Sequence, residues 1–154
     1  MHLDHILRPD GIKLLSSCSS KKRLFHDLGG MADSTLGLDS GRVIEALLER
    51  ESLGPTGVGG GIALPHARLE GLARVRGLFL KLEKPLDFDA IDRQPVDLVF
   101  ALLAPEDAGV EHLKALAAVS RAMRDPAICA KLRANSEVAT LHTILTEGAA
   151  SQAA

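Results

Sequence analysis

An uninterrupted run of apolar residues from Leu98 to Ala104 constrains the fold more than any other feature of the sequence. Consecutive side chains of a strand point to opposite faces of its sheet, so a strand that is apolar throughout is buried on both faces. We therefore expect Val96 to Leu103 to form a central strand, with helices covering both faces of the sheet. The run is too short to cross a bilayer, which takes about 20 residues.

Helical and extended patterns alternate along the rest of the chain. Further strands are predicted at Ile12–Leu15, Ile62–Leu64, Val75–Leu82 and Leu86–Asp89. Helices are predicted after Ser19 or Ser20, after Asp39 or Ser40, over Gly109–Met123, from Pro126 to about Leu132, and from a cap at Ser136 through Leu145. The third of these should turn Leu113, Leu116, Val119 and Met123 inward.

This order of elements predicts the α/β class, with a mixed β-sheet sandwiched by helices. No composition shift marks a domain boundary within the 154 residues. We expect a single domain over residues 1–147 and a flexible C-terminal tail over residues 148–154.

The composition disfavours several classes of function. The net charge is −2, Trp and Tyr are absent, and the only dense basic run is Lys21 to Arg23, so nucleic-acid binding is not expected. The first residues do not form a signal peptide, and no direct membrane insertion is expected. Cys18 and Cys129 form no CxxC pair and fit reduced thiols of a cytoplasmic protein.

A glycine-rich segment, Gly57 to Gly61, precedes a short apolar step and then Pro65 and His66. Proline lacks an amide donor, so regular pairing should stop at Pro65 and leave His66 at a strand end facing a cleft. Arg68 would lie on the same side as His66 in an extended chain. A neutral imidazole beside an arginine suits a phosphoryl carrier. The alternative is an ordinary surface loop followed by an ordinary histidine.

The segment from Gly61 to Arg68 resembles the phosphorylation-site motif of mannitol/fructose-type enzyme IIA domains of the bacterial phosphoenolpyruvate-dependent phosphotransferase system. The resemblance extends from about Leu3 to about Leu145 and is closest to the nitrogen-related branch. It implies that Nε2 of His66 carries the phosphoryl group. It also implies a donor, a small histidine phosphocarrier protein of the HPr or NPr type. No metal, nucleotide or other cofactor is expected at His66.

Other residues gain candidate roles from the same resemblance. The segment from Ala104 to Leu116 resembles the part of the family that places a second histidine, here His112, beside the phosphorylated one; alternatively, His112 is a packing residue of a helix. Arg50 and Glu51 match an arginine–glutamate pair of the family whose arginine lies near the site, although Arg50 could simply favour the C-terminal dipole of a helix. Three residues match positions that support the phosphoryl site: Thr56, Gly61 and Arg68.

Two functional classes follow from the resemblance. One is a regulatory phosphocarrier whose phosphorylation state changes its binding to targets such as potassium transporters or sensor kinases, in nitrogen metabolism and potassium homeostasis. The other is a sugar-transport enzyme IIA that passes the phosphoryl group to a IIB domain. The segment from Leu86 to Leu98 resembles the regulatory branch more closely. A third reading, a fold relative that only binds, requires an unreactive His66.

A carrier histidine has to meet its partners at its own cleft, so an apolar rim is expected around His66. The sequence offers Leu64, Ala67 and Leu69 for that rim, with Arg68 steering an acidic donor.

Overall fold

In the computed structural model, the apolar run from Leu98 to Ala104 lies within the longest run of buried residues among those described, 98–105. The structure describes residues 1–153, with side chains up to Gly148. In this part of the chain the strands are β1 (Ile12–Leu15), β2 (Gly57–Gly59), β3 (Ile62–Ala63), β4 (His66–Leu69), β5 (Arg76–Leu86) and β6 (Val96–Pro105). The α-helices described are α1 (Lys21–Leu36), α2 (Ser40–Ser52), α3 (Gly109–Met123), α4 (Pro126–Ala134) and α5 (Val138–Ala153), and the short 3-10 helices Leu3–His5 and Pro9–Gly11 precede β1.

The strands form one mixed sheet in the order β1-β5-β6-β3-β2, and β4 also pairs with β6. Strands β3 and β4 both run parallel to β6, whereas β5 is antiparallel to it. Strand β1 is parallel to β5, and β2 is antiparallel to β3. The predicted mixed α/β architecture is thus confirmed.

Strand β6 divides the protein into two cores. Leu98, Phe100 and Leu102 pack on the side of α3, α4 and α5. Val99, Ala101 and Leu103 pack on the opposite side, against α1 and α2. All of these side chains are fully buried, as expected for a central strand with helices on both faces.

Local capping signals define the starts of three helices. The side chains of Ser20, Asp39 and Asp125 each accept a backbone hydrogen bond at the first turn of α1, α2 and α4. Helix α1 continues through Gly29. A Cβ at residue 29 would lie 2.6 Å from the Cγ1 atom of Ile44, so the glycine permits α1 and α2 to pack closely.

The structure corrects the predicted end of pairing at Pro65. The chain pairs with β6 both before and after this residue, and the Pro65 carbonyl accepts a hydrogen bond from the Leu102 amide at 2.9 Å. Proline removes a donor only, so its acceptor can still bind the neighbouring strand. His66 is therefore the first residue of β4, whose register is fixed by parallel pairing with Leu102.

The strand predicted at Leu86–Asp89 is wrong beyond Leu86, which ends β5. Asp89 has a φ of 55°, which an extended strand cannot accommodate. The apolar side chain of Phe88 is instead buried against the edge of Phe25, with ring centroids 5.8 Å apart. Apolar character at this position reflects a contact with α1 rather than a strand.

Two predictions on the last helices also change. Leu113, expected to point inward, is 66% exposed, because α3 turns His112 and the small residues Ala115, Ala118 and Ala122 toward the sheet. Helix α5 begins at Val138, two residues after the predicted cap, and includes most of the segment expected to be a tail. Gly148 faces Ile128 of α4. The flexibility of residues 148–154 stays a prediction; the side chains after 148 and all of residue 154 lie outside the described part. None of the described helices has the length and apolar character needed to span a membrane.

Candidate active site

A cleft of about 540 Å³ opens where the end of α2, strand β4 and the first turns of α3 meet. Its walls combine five alanine and leucine side chains with charged and imidazole groups. The lining residues are Ala46, Glu49, Arg50, Leu53, His66, Ala67, Arg68, His112, Leu113 and Leu116. Four of the six predicted site residues therefore lie together in one cleft: His66, His112, Arg50 and Arg68.

The ring of His66 is held by its own backbone neighbourhood. Its Nδ1 lies 2.9 Å from the Leu64 carbonyl oxygen. A carbonyl can only accept, so Nδ1 carries the proton and donates it to Leu64. In the neutral ring, Nε2 then carries a lone pair. The contact selects the tautomer in which Nε2 is free to accept a hydrogen bond or to act as a nucleophile.

Arg50 approaches that same nitrogen from α2. Its Nε donates to Nε2 of His66 at 3.3 Å, and its Nη1 donates to the Gly54 carbonyl at 3.0 Å. A donor at Nε2 agrees with the tautomer set by Leu64, because a protonated Nε2 could not accept. The guanidinium therefore lies where an anion bound to Nε2 would be placed.

His112 lies edge to face against His66, with ring centroids 5.6 Å apart and the planes at 73°. It is 7% exposed, and its Nε2 has no hydrogen-bond partner among the described residues. Burial lowers the pKa of His112, and the electrostatic interactions of this ring with His66 and Arg68 lower the pKa further. The ring is therefore neutral near pH 7, and its Nε2 is left without a partner beside the cleft.

Arg68 extends the positive character of the cleft along β4. It is exposed, two residues after His66 on the same side of the strand, as predicted from the alternation of an extended chain. Arg50 and Arg68 thus line the same cleft as His66 from separate elements. The arrangement suits a group with negative charge.

The structure does not bring Thr56 and Gly61 into the cleft. Thr56 is 4% exposed, and both its amide and its hydroxyl donate to the Glu51 carboxylate. Gly61 has a φ of 82° in the turn between β2 and β3, where its Cα lies close to Arg133 and Asp97. Arg133 pairs with Asp97 at 2.9 Å and also donates to the Gly60 carbonyl. Both predicted residues therefore shape the backbone around the motif from outside the cleft.

The apolar rim also differs from the prediction. Leu64, Ala67 and Leu69 are buried, and of these only Ala67 lines the cleft. Its exposed apolar residues are Leu53, at 82%, and Leu113, at 66%. Leu53 follows the end of α2, and Leu113 lies near the start of α3. Only the packing of these two helices against each other shows that both leucines border the cleft.

Comparisons with known proteins identify the family of the chain. Residues 5–148 match the family model described as "Phosphoenolpyruvate-dependent sugar phosphotransferase system, EIIA 2". The chain is 43% identical over 145 residues to the nitrogen regulatory protein of Bradyrhizobium diazoefficiens, covering 94% of this chain and 95% of that protein. It is 42% identical over 148 residues to the nitrogen regulatory protein of Escherichia coli K12, covering 96% and 91%. The crystal structure of nitrogen regulatory protein IIA-Ntr from Neisseria meningitidis superposes with a TM-score of 0.87 at 38% identity, covering 94% of this chain and 99% of that one.

A mixed α/β fold with a histidine and two arginines in one cleft, together with a family match over almost the whole chain, defines a phosphotransferase-system component. The chain belongs to the EIIA type-2 family of that system, and the relatives described above carry the name of nitrogen regulatory proteins.

Proposed function

We propose that the protein is a phosphoryl carrier that accepts a phosphoryl group on Nε2 of His66 from a histidine phosphocarrier protein of the HPr or NPr type. The observation that carries the proposal is the hydrogen bond from Nδ1 of His66 to the Leu64 carbonyl. This bond leaves the lone pair of Nε2 directed at the cleft, where Arg50 meets it. A fixed tautomer and a nearby cation are what a nucleophilic histidine requires.

The transfer requires little covalent chemistry from the protein. The Nε2 lone pair forms the new N–P bond, and the N–P bond of the donor breaks with its electron pair returning to the donor ring. No proton has to leave His66, because the Nδ1 proton remains bound to the Leu64 carbonyl. In a loose transition state the negative charge is spread over the phosphoryl oxygens, so positioning and electrostatic stabilisation provide most of the catalysis.

Three groups of the cleft are placed to supply that stabilisation. Arg50 exchanges its bond to Nε2 for the phosphoryl oxygens as the N–P bond forms. Arg68 adds a second positive charge on the same strand as the nucleophile. His112, neutral and with a free Nε2, offers a hydrogen bond to a phosphoryl oxygen without adding a charge that would repel His66.

We further propose a regulatory role in nitrogen metabolism, in line with the names of the relatives described above, and in potassium homeostasis. A phosphoryl group adds roughly 1.5 to 2 negative charges to the cleft. A target such as a potassium transporter or a sensor kinase would then distinguish the two forms by about 1–3 kcal/mol, a typical coupling free energy. The alternative is a sugar-transport role, which is supported by the words "sugar phosphotransferase system" in the description of the family.

The carrier proposal is tested by incubating the protein with phosphoenolpyruvate, enzyme I and the phosphocarrier, and then measuring its intact mass. His66→Asn keeps a donor for the Leu64 carbonyl but lacks the nucleophilic nitrogen, so it should gain no phosphoryl group. His26→Ala, at an exposed histidine of α1, is the matched control and should be phosphorylated as the wild type is. One phosphoryl group on the His66→Asn protein would overturn the assignment.

The two roles are separated by offering the phosphorylated protein to a fructose-type IIB domain and, separately, to a candidate regulatory target. We expect slow or no transfer to IIB and unequal affinity of the target for the two forms. Rapid transfer to IIB, together with equal target affinity by calorimetry, would favour the transport role.

A further inference from the structure

The carboxylate of Glu51 lies outside the cleft, but its hydrogen bonds fix the chain at Thr56, which in turn binds the segment that holds His66. It is 8% exposed as a side chain. It accepts hydrogen bonds from the Thr56 amide at 2.9 and 3.0 Å and from the Thr56 hydroxyl at 2.6 Å. Lys21 lies 3.5 Å from Oε2, and its Nζ also sits 4.6 Å above the centre of the Phe88 ring. A buried carboxylate with this many donors is a fixed point of the structure, because moving it would leave charge and donors unpaired.

Two further hydrogen bonds connect this anchor to His66. The Thr56 carbonyl accepts from the Leu64 amide at 2.9 Å, and the Leu64 carbonyl accepts from Nδ1 of His66 at 2.9 Å. The peptide between Leu64 and Pro65 has no N–H, so it cannot be tied into the sheet through its own nitrogen. Its orientation depends on the bond to Thr56 on one side and on the Pro65 carbonyl, bound by Leu102, on the other.

From this connected set we propose that Glu51 is a positioning residue for phosphoryl transfer: through Thr56 and Leu64 it holds His66 with the proton on Nδ1 and the lone pair on Nε2. The inference rests on the proposed function of His66. It also assigns Thr56 a role behind the histidine rather than a contact with the phosphoryl group.

Glu51 and its neighbour Arg50 on α2 act on opposite sides of the His66 ring. Arg50 and Glu51 are consecutive, so on a helix they point in different directions. Arg50 reaches Nε2 through the cleft, whereas Glu51 acts on Nδ1 through the backbone behind it. Two consecutive residues at the end of one helix therefore act on both nitrogens of the imidazole: Glu51 keeps the proton on Nδ1, and Arg50 donates to Nε2.

The test reads the tautomer directly in the unphosphorylated protein. The ¹⁵N shifts of the His66 ring are measured at a pH of about 8.5, two units above the usual histidine pKa. The wild type should show Nδ1 protonated and Nε2 as the acceptor. In Glu51→Ala, the ratio of the Nδ1–H to the Nε2–H form should fall about fivefold, the equivalent of one hydrogen bond. Glu45→Ala, at an exposed site on the same helix, is the control and should leave the ratio unchanged.

Two gentler variants cover the case in which Glu51→Ala does not fold. Thr56→Val removes the hydroxyl donor but keeps the amide, and should shift the tautomer in the same direction by a smaller factor. Glu51→Gln keeps one acceptor oxygen and should recover part of the wild-type ratio. An unchanged tautomer ratio in the folded variants would overturn the proposal.

The rate of phosphorylation provides the second readout. Glu51→Ala should slow transfer about tenfold at saturating donor, because a loosened ring is less often in line with the phosphorus. If a variant with an altered tautomer ratio were phosphorylated at the wild-type rate, the proposed link between the tautomer and phosphoryl transfer would be overturned. If wild-type His66 were not phosphorylated at all, the proposed function would fail, while the tautomer measurement would still report on Glu51.

Discussion

The Nε of Arg50 donates to Nε2 of His66 across 3.3 Å, so a guanidinium covers the nitrogen that is proposed to attack phosphorus. In the unmodified protein this contact keeps the lone pair oriented. Since Arg50 is also held by the Gly54 carbonyl, it need move only a short way to meet the oxygens of an incoming phosphoryl group. The donor for the transition state is then already in place.

Replacing Arg50 should therefore slow transfer without unfolding the protein. We expect Arg50→Ala to lower the single-turnover rate about 100-fold, the usual effect of removing one preorganised donor. Rapid-quench measurement with phosphorylated donor provides the rate, and Arg42→Ala on the same helix is the matched control. A rate equal to that of the wild type would assign Arg50 to the helix dipole alone.

His112 should contribute less than the nucleophile but measurably. His112→Phe keeps a ring against His66 and removes both nitrogens, so transfer should slow by roughly 100-fold and still proceed. The same rapid-quench assay checks it, with His26→Ala as control. If His112→Phe transfers at the wild-type rate, His112 is a packing residue.

The lowered pKa of His112 also predicts how stability depends on pH. Below about pH 6.5, the usual histidine pKa, the unfolded chain binds a proton at residue 112 that the folded protein takes up only at lower pH. The free energy of unfolding should therefore fall as the pH drops from 6.5 toward the lowered pKa. Urea unfolding at several pH values should show a smaller loss for His112→Phe than for the wild type. Parallel curves for the two proteins would contradict this origin of the loss.

The exposed leucines of the cleft should matter for association. Leu113→Ser removes apolar surface beside His66, and we expect the donor KM to rise about tenfold with kcat nearly unchanged, as for a moderate interface hot spot. Ile91 is 73% exposed and is absent from the cleft lining, so Ile91→Ser is the control. Equal KM values for the two variants would remove Leu113 from the docking surface.

Gly60 and Gly61 form a pair that separates backbone strain from crowding. Both have positive φ, but a Cβ at 60 meets nothing within 4 Å, whereas one at 61 would lie 2.6 Å from Nη2 of Arg133. Gly60→Ala should cost about 1 kcal/mol. Gly61→Ala should cost about 2 kcal/mol, because the ends of the Arg133 and Asp97 side chains also have to shift. Urea unfolding measures both. The folded fraction of each should be phosphorylated at the wild-type rate. A stable but inactive Gly61→Ala would return this glycine to the phosphoryl site.

Local chemistry explains which parts of the fold were predictable. Ser20, Asp39 and the proline at 126 act on the first turn of their own helices, so the starts of α1, α2 and α4 follow from sequence. The full length of α3 was also predicted. Its inward face was predicted in part: Val119 and Met123 are buried and Leu116 packs against the core, but Leu113 is exposed. Leu113 and the alanines of that helix are all apolar, so the sequence does not rank them. Which of them faces the sheet depends on the cleft made by α2 and β4.

The candidate site shows the same division. His66, His112, Arg50 and Arg68 were predicted from motif resemblance, and the fold places all four in one cleft. The anchoring role of Glu51 could not be predicted, because it requires Thr56 to fold back over the end of α2. The same holds for Gly61, whose environment is provided by Arg133, 72 residues further along the chain.

The close packing of Gly29 against Ile44 couples the tilt of helix α2 to the position of Arg50 at its end. Ile44 lies six residues before Arg50, about 9 Å along the helix axis at 1.5 Å per residue. A side chain at residue 29 that tilted α2 by about 5° would displace Arg50 by about 0.8 Å over that length. Displacements of that size near a reacting atom can cost about 100-fold in rate. Residue 29 lies on α1, so the distance from Arg50 to His66 depends partly on Gly29 having a hydrogen atom where other residues have a Cβ.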